Sequence, residues 1–182
     1  RGFDLPKGLN DNRLLLHFGA VDWKCTVWIN GREAGTHQGG YTPFILDITP
    51  FLQKGIQELL VRVWDPSDEG PQPRGKQVNK PEGIWYTSVT GIWQTVWLEA
   101  VPATHIESVL PQADIDRNTL TIGTRVSGFA KEDVLKISVL DAGKTVAEQT
   151  VSAGSNAVFT LANPKLWSPD QPFLYDLTVR LM

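Results

Sequence analysis

The sequence predicts an all-β protein made of two successive β-sandwiches, and three observations support this prediction. Apolar residues alternate with other side chains along many short segments, which is the period of a β-strand. Turn sequences separate these segments, and one of them, Asn30-Gly31, is typical of a tight hairpin. No segment has the 3.6-residue apolar repeat of a convincing amphipathic helix.

In the first half of the chain, four segments alternate most clearly: residues 14–18, 25–29, 44–48 and 59–63. Between the third and the fourth, Thr49-Pro50 predicts a cap followed by a single helical turn, which Gly55 ends. Short strands that are separated by regular turns are typical of a sandwich.

Aromatic residues and the single cysteine fall on these predicted strands. Trp28, Trp93 and Trp97 lie in alternating segments, so we expect their side chains in the sandwich core. Cys25 is expected to be a small buried side chain, since free cysteine is often buried. Trp167, in a Leu-Trp-Ser-Pro sequence, is expected to plug the core near the last strand.

Residues 65–91 interrupt the alternation. They include four prolines, which cannot lie in a central strand because each removes a hydrogen-bond donor. Loops longer than about 12–15 residues are uncommon in compact domains and are often functional. This segment combines hydrogen-bond donors with aromatic faces, and we therefore predict a binding loop. Its candidate substrate-binding residues are Arg74, Lys76, Gln77, Glu82, Trp85 and Tyr86.

The second half again alternates, over residues 120–126, 135–139, 157–161 and 173–181. Turn sequences at 141–143 and 154–156 separate these segments. The change between the halves falls near Val101-Pro102, since six of the seven tryptophans precede it. We therefore predict two domains, 1–101 and 102–182.

Composition excludes several classes of function. The 182 residues include 17 basic and 20 acidic side chains, for a net charge of −3, which is not typical of a nucleic-acid-binding protein. No apolar run approaches the roughly 18 residues of a transmembrane helix, so no membrane span is predicted. The lone cysteine and the lack of a Cys/His pattern predict neither a metal site nor a cofactor.

Three stretches, in order along the chain, resemble glycoside hydrolase family 2. The first two resemble the N-terminal sugar-binding domain of β-galactosidase-like members: LLHFGAVDWKCTVWINGREAGTHQGGYTPFILDITPFL at 15–52 and PEGIWYTSVTGIWQTVWLEAV at 81–101. The third, PKLWSPDQPFLYDLTVRL at 164–181, resembles the end of the immunoglobulin-like domain that follows it.

The resemblance implies a galactose-binding-like jelly roll over 1–101, truncated because its first strands would precede Arg1. An immunoglobulin-like sandwich over 102–182 would follow, and then a catalytic (β/α)₈ barrel beyond residue 182. Retaining glycosidases need two carboxyl groups about 5–5.5 Å apart, and in this family both belong to the barrel. The resemblance therefore implies a non-catalytic fragment with no catalytic residues of its own.

The implied parent is a retaining β-galactosidase-type exo-glycosidase of carbohydrate metabolism, with a β-glucuronidase or β-mannosidase as the alternative. Its partners would be a β-galactoside or related glycan and the barrel, and a homo-oligomer is left open. An autonomous lectin-like carbohydrate-binding module and a structural spacer are hypotheses from other classes. The compartment is also left open, with the periplasm or the cell exterior favoured over the cytoplasm.

The sequence departs from the family pattern at one place. Well-studied β-galactosidases and β-glucuronidases have an acidic residue a few positions before the glycine that matches Gly91, where it helps to hold sugar hydroxyls. Here Trp85 stands at about that position. We therefore hypothesise that stacking on Trp85 replaces the polar contact, or that Glu82, Arg74 or Gln77 supplies it.

Overall fold

A computed structural model of the chain describes residues 1–5 and 12–182. In these residues the regular elements are β-strands and two 3₁₀ turns, Thr49–Phe51 and Ser67–Glu69, with no α-helix. No helix in this part of the chain is long and apolar enough to cross a membrane. The all-β prediction is confirmed. The chain divides into two compact units, Arg1–Pro102 and Ala103–Met182.

The first unit is a sandwich of two antiparallel sheets with two smaller strand pairs. Its strands are β1 (Gly2–Phe3), β2 (Arg13–Phe18), β3 (Val21–Asp22), β4 (Lys24–Ile29), β5 (Arg32–Gln38), β6 (Phe44–Asp47), β7 (Gln57–Trp64), β8 (Gln77–Val78), β9 (Tyr86–Thr87), β10 (Gly91–Ile92) and β11 (Val96–Val101). The main sheets have the strand orders β1-β7-β4-β5 and β11-β2-β6. The smaller pairs are β10-β3, which is antiparallel, and β8-β9, which is parallel.

The core of the first unit comes from the alternating residues of β2 and β4. Period-two alternation turns one side of each strand inward, so aliphatic residues of the two sheets meet between them. Cys25 is buried among them, as expected, and burial raises the pKa of its thiol. The buried cluster consists of Leu14, Leu16, Phe18, Val21, Cys25, Val27, Ile29 and Ile48.

The expectation that three tryptophans fill this core was wrong. Trp28 lies between the buried residues Val27 and Ile29, so it takes the opposite face of β4 and is only partly buried. Trp97 lies in β11 between Val96 and Leu98, which are partly buried and pack against the core, and it is 45% exposed. Trp93, which follows β10, is 53% exposed. Aliphatic residues occupy the inner face, and strict alternation then places an adjacent tryptophan outside.

The second unit is also a sandwich of two antiparallel sheets. Its strands are β12 (His105–Asp114), β13 (Thr119–Ser127), β14 (Val134–Asp141), β15 (Lys144–Ser152), β16 (Ala157–Thr160) and β17 (Asp176–Leu181). The sheet orders are β12-β13-β16 and β15-β14-β17. The buried cluster consists of Ile122, Val126, Leu135, Ile137, Val139, Ala153, Ala157 and Phe159.

Trp167 does not plug the core of the second unit, because it is 58% exposed. It lies in the connection between β16 and β17, which contains Pro164, Pro169 and Pro172. Prolines cannot donate to a strand ladder, so this connection pairs with neither sheet. The core is filled instead by the aliphatic residues of the strands and by Phe159.

Candidate functional site

Residues 65–91 form an ordered loop that is built around the carboxylate of Asp65. Its Oδ1 atom accepts hydrogen bonds from the backbone N–H of Ser67 at 2.9 Å and from Nε2 of Gln72 at 3.1 Å. Its Oδ2 atom accepts one from the Thr90 hydroxyl at 3.0 Å. Gln72 is buried and also donates to the carbonyl of Ser67 at 2.7 Å. One side chain therefore joins the two ends of the loop.

The middle of the loop is held by the short parallel pair β8-β9. Gln77 lies opposite Tyr86 in this pair, and the Tyr86 N–H donates to the carbonyl of Lys76 at 2.8 Å. The side-chain Oε1 of Gln77 accepts a hydrogen bond from the Val89 N–H at 2.6 Å. The Gln77 amide therefore supports the loop backbone.

The C-terminal end of the loop forms one wall of a cavity of about 320 Å³. β10 brings this wall to β3, where Gly91 lies opposite Asp22. The cavity is mostly apolar, and a few polar groups converge on it, which is typical of a small-molecule site. Its lining residues are Asp22, Tyr41, Gln77, Val89, Thr90, Gly91, Ile92 and Trp93.

Asp22 is the polar centre of this cavity. Its Oδ1 atom is buried and accepts no hydrogen bond from the described part of the chain. Burial raises the pKa of this carboxyl, and the nearby charge of Asp65 raises it further. Buried polar atoms nearly always have a partner, so an unpaired buried acceptor calls for an explanation. Oδ1 itself is enclosed, so a ligand hydroxyl would donate to the Asp22 carboxylate where the residue lines the cavity.

Two aromatic rings stand beside this carboxylate. The Nε1 of Trp93 donates to the carbonyl of Gly40 at 2.7 Å, which fixes the indole. The ring of Tyr41 meets it edge to face, with the centroids 5.9 Å apart. A carboxylate in a cavity lining next to exposed aromatic faces can bind a ligand that has both hydroxyl groups and an apolar face. None of the described residues that line the cavity is basic.

Of the six candidate residues from the sequence, only Gln77 lines the cavity. Trp85 and Tyr86 lie in the same loop, 42% and 66% exposed, and the Trp85 N–H donates to the carbonyl of Glu82 at 3.2 Å. Arg74 has a buried Nε with no hydrogen-bond partner in the described residues, while its carbonyl accepts from the Gln77 N–H. The side chains of Lys76 and Glu82 are exposed to solvent.

The sequence reasoning missed Asp22, Tyr41 and Trp93 as site residues, and it missed Asp65 as the residue that organises the loop. One signal was available: Asp22 is an acidic residue directly after the apolar pair Ala20-Val21. The role of Asp22, however, depends on contacts with residues near positions 65 and 91, which are far away in the sequence.

Family models match both units of the chain. The model "Glycosyl hydrolases family 2, sugar binding domain" matches residues 1–102, and the model "Glycosyl hydrolases family 2" matches residues 104–182. The chain belongs to glycosyl hydrolase family 2. The resemblance that the three sequence stretches indicated is therefore confirmed.

Individual relatives of this family 2 chain are β-glycosidases. It is 30% identical to a beta-galactosidase of Thermoanaerobacter pseudethanolicus, over 99% of this chain and 25% of that protein. It is 29% identical to a putative beta-glucuronidase of Formosa agariphila, over 96% of this chain and 22% of that protein. A beta-glycosidase structure from Bacteroides vulgatus has a TM-score of 0.79 and 26% identity, over 100% of this chain and 23% of that chain. The family 2 chain thus spans about a quarter of these relatives.

Proposed function

We propose that this chain is the non-catalytic N-terminal part of a family 2 glycosidase that hydrolyses a β-galactoside. The observation that carries the proposal is the family match over both units, together with a relative named beta-galactosidase at 30% identity. Retaining hydrolysis needs two facing carboxyl groups, which we assign to a part of the parent protein beyond this chain.

In this proposal the Asp22 cavity contributes one side of the sugar-binding site. The carboxylate of Asp22, which lines the cavity, accepts a hydrogen bond from a sugar hydroxyl, and the apolar face of the ring packs on Trp93 or Tyr41. Asp22 thereby performs the task that the family pattern gives to an acidic residue before Gly91. Trp85, which is partly exposed in the preceding loop, is a second candidate for stacking on the sugar.

Charge favours a galactoside over a glucuronide. The cavity contains the carboxylate of Asp22, the charge of Asp65 acts on it, and no described lining residue is basic. The carboxylate of a glucuronide in this cavity would be repelled without compensation, whereas a galactoside is neutral. Two like charges about 4 Å apart near a protein surface repel by about 4 kcal/mol.

The test compares substrates on the parent protein and on the 182-residue chain. The parent should hydrolyse 4-nitrophenyl β-galactoside with a kcat/KM at least about tenfold above that for the β-glucuronide and the β-mannoside. Asp22→Asn should reduce the ratio of kcat/KM for the β-galactoside to kcat/KM for the β-glucuronide, because it removes the repelling charge. The 182-residue chain should give only the buffer rate. A parent that prefers the glucuronide, or turnover by the purified chain, would contradict the proposal.

An autonomous carbohydrate-binding module is the second candidate function. The observation that favours it is the exposure of the adjacent rings of Trp85 and Tyr86 in this chain itself. Titration calorimetry of the 182-residue chain with galactose, lactose and a β-glucan separates the two functions. Saturable binding that Trp85→Ala abolishes would favour the module, and weak or absent binding would favour the supporting part of a larger enzyme.

A further inference from the structure

The wall of the Asp22 cavity is held in place by few contacts. β10 is two residues long and, among the described residues, pairs only with the equally short β3. The side chains of Val89 and Ile92 are exposed, so little apolar burial fixes this stretch. Segments with few buried contacts open locally at low cost in free energy. The remaining polar bonds therefore decide how firmly the wall is held.

Asp65 makes one of these bonds, from a position outside the cavity. It follows the last residue of β7, a strand of the main sheet, and its Oδ2 accepts the Thr90 hydroxyl at 3.0 Å. Thr90 lines the cavity, and the next residue, Gly91, lies opposite Asp22. Asp65 itself is not among the lining residues.

We propose that Asp65 is a positioning residue for sugar binding: by holding Thr90 it fixes the 89–93 wall of the cavity against Asp22, without touching the ligand. The inference rests on the proposed function, in which this cavity takes a sugar. The bonds from Ser67 and Gln72 both fix Oδ1 of Asp65, which leaves Oδ2 to accept the bond from Thr90.

Four variants separate the geometry of this contact from its charge. Asp65→Ala and Thr90→Val each remove the hydrogen bond, and valine keeps the shape of threonine. Thr90→Ser keeps the hydroxyl and is the rescue variant. Asp65→Asn removes the charge: its amide oxygen can still accept from Ser67 and Gln72, and its Nδ2 can donate to the Thr90 hydroxyl, which reverses the direction of that one bond. Asp114→Ala is the matched control, because Asp114 accepts backbone N–H bonds from residues 116 and 117 in the second unit.

The first measurement is hydrogen–deuterium exchange of the 182-residue chain, which needs no activity. Asp65→Ala and Thr90→Val should each speed exchange at residues 89–93 about tenfold, since hydrogen bonds to charged groups are among the stronger ones. The double variant should exchange no faster than Asp65→Ala, because Thr90→Val removes a contact that Asp65→Ala has already removed. Thr90→Ser and Asp114→Ala should match the wild type.

The second measurement is steady-state kinetics of the parent protein on 4-nitrophenyl β-galactoside. Asp65→Ala and Thr90→Val should raise KM about three- to tenfold and change kcat less than twofold, while Asp65→Asn and Thr90→Ser keep KM within about twofold of the wild type. A purely structural role would lower the amount of folded enzyme and leave KM unchanged.

The outcomes distinguish this inference from the proposed function. Additive effects of the two variants on exchange, or a Thr90→Ser variant that behaves as Thr90→Val, would overturn the role of Asp65. Unchanged KM in Asp65→Ala and Thr90→Val would also overturn it, even where the parent hydrolyses β-galactosides normally. A parent that hydrolyses no β-glycoside would overturn the proposed function, and the role of Asp65 in sugar binding with it, whatever the exchange data show.

Discussion

Gly40 lies against the carboxylate of Asp22 so closely that a side chain at position 40 would overlap Oδ1. The same glycine accepts the indole N–H of Trp93 through its carbonyl at 2.7 Å. One residue without a side chain thus sets the position of both the acceptor and the aromatic ring of the cavity. Gly40 therefore supports the cavity from behind its lining residues.

Gly40→Ala tests this relationship. The added methyl group must displace the Asp22 carboxylate, so we expect a loss of about 1–3 kcal/mol in the free energy of unfolding. Gly123→Ala is the control, because the nearest atoms to a Cβ there are 3.7 Å away. It should change stability by less than about 0.5 kcal/mol. Urea denaturation measures both, and equal stability of the two variants would show that the cavity has room at position 40.

The raised pKa of Asp22 predicts an effect of pH on stability. A carboxyl whose folded pKa lies above its ordinary value near 3.8 binds protons more tightly in the folded state. Its contribution to stability is therefore present below pH 3.8 and is lost as pH rises through the folded pKa. Asp22→Asn should be more stable than the wild type at pH 7, and this advantage should shrink as pH falls. A stability difference between Asp22→Asn and the wild type that does not change with pH would contradict a raised pKa of Asp22.

Asp47 should behave in the opposite way. Burial opposes ionisation of this carboxyl, but hydrogen bonds from Thr49 and Arg13 outweigh it and lower its pKa. The contribution of Asp47 to the free energy of unfolding is present above the ordinary pKa of the carboxyl and is lost as pH falls through the folded pKa. Asp47→Asn should therefore destabilise the chain at pH 7 and have little effect in acid. Thermal unfolding of Asp22→Asn and Asp47→Asn at several pH values tests the direction of both pH effects in one experiment.

Burial in the second unit predicts which of two large side chains matters for stability. Ile137 is fully buried, so Ile137→Ala should cost about 2–5 kcal/mol. Trp167→Ala should cost less than about 1 kcal/mol, because most of the side chain is exposed. Urea denaturation followed by far-ultraviolet circular dichroism compares them. A larger loss for Trp167→Ala would restore the core role that the sequence predicted.

Much of the fold follows from local sequence, because alternation is a property of neighbouring residues. The strands β2, β4, β6 and β7 fall where the pattern predicts them, and Asn30-Gly31 forms a turn in which both residues have positive φ. Alternation alone does not say which face is inner. The sequence analysis expects Trp28 and Trp97 inside because aromatic side chains are often buried, whereas the aliphatic residues beside them form the core or pack against it.

The site was less predictable, since its geometry depends on distant partners. The loop at 65–91 was recognised from its prolines and aromatic residues. The cavity, however, needs Asp22 from β3, Tyr41 from the connection between β5 and β6, and Trp93 from just after β10. Nothing local to any of these residues indicates the other two.

Trp85 remains a predicted contact of the sugar in the parent protein. An aromatic stack on a base is worth about 1–3 kcal/mol, and a sugar stack at the lower end corresponds to about fivefold in rate. Trp85→Ala should therefore lower kcat/KM at least about fivefold and leave the melting temperature almost unchanged. Trp85→Phe keeps a ring and should recover most of the activity. Equal activity of both variants and the wild type would remove Trp85 from the site.

The most direct test of the account is the effect of Asp22→Ala on kcat/KM of the parent protein, measured on 4-nitrophenyl β-galactoside and on its monodeoxy analogues. Loss of a hydrogen bond to a charged group should lower kcat/KM for the galactoside at least about tenfold. For the one analogue that lacks the hydroxyl bound by Asp22, the variant and the wild type should be equal within about twofold. An unchanged kcat/KM for the galactoside, or the same loss for every analogue, would contradict the assignment of Asp22 as the acceptor of a sugar hydroxyl.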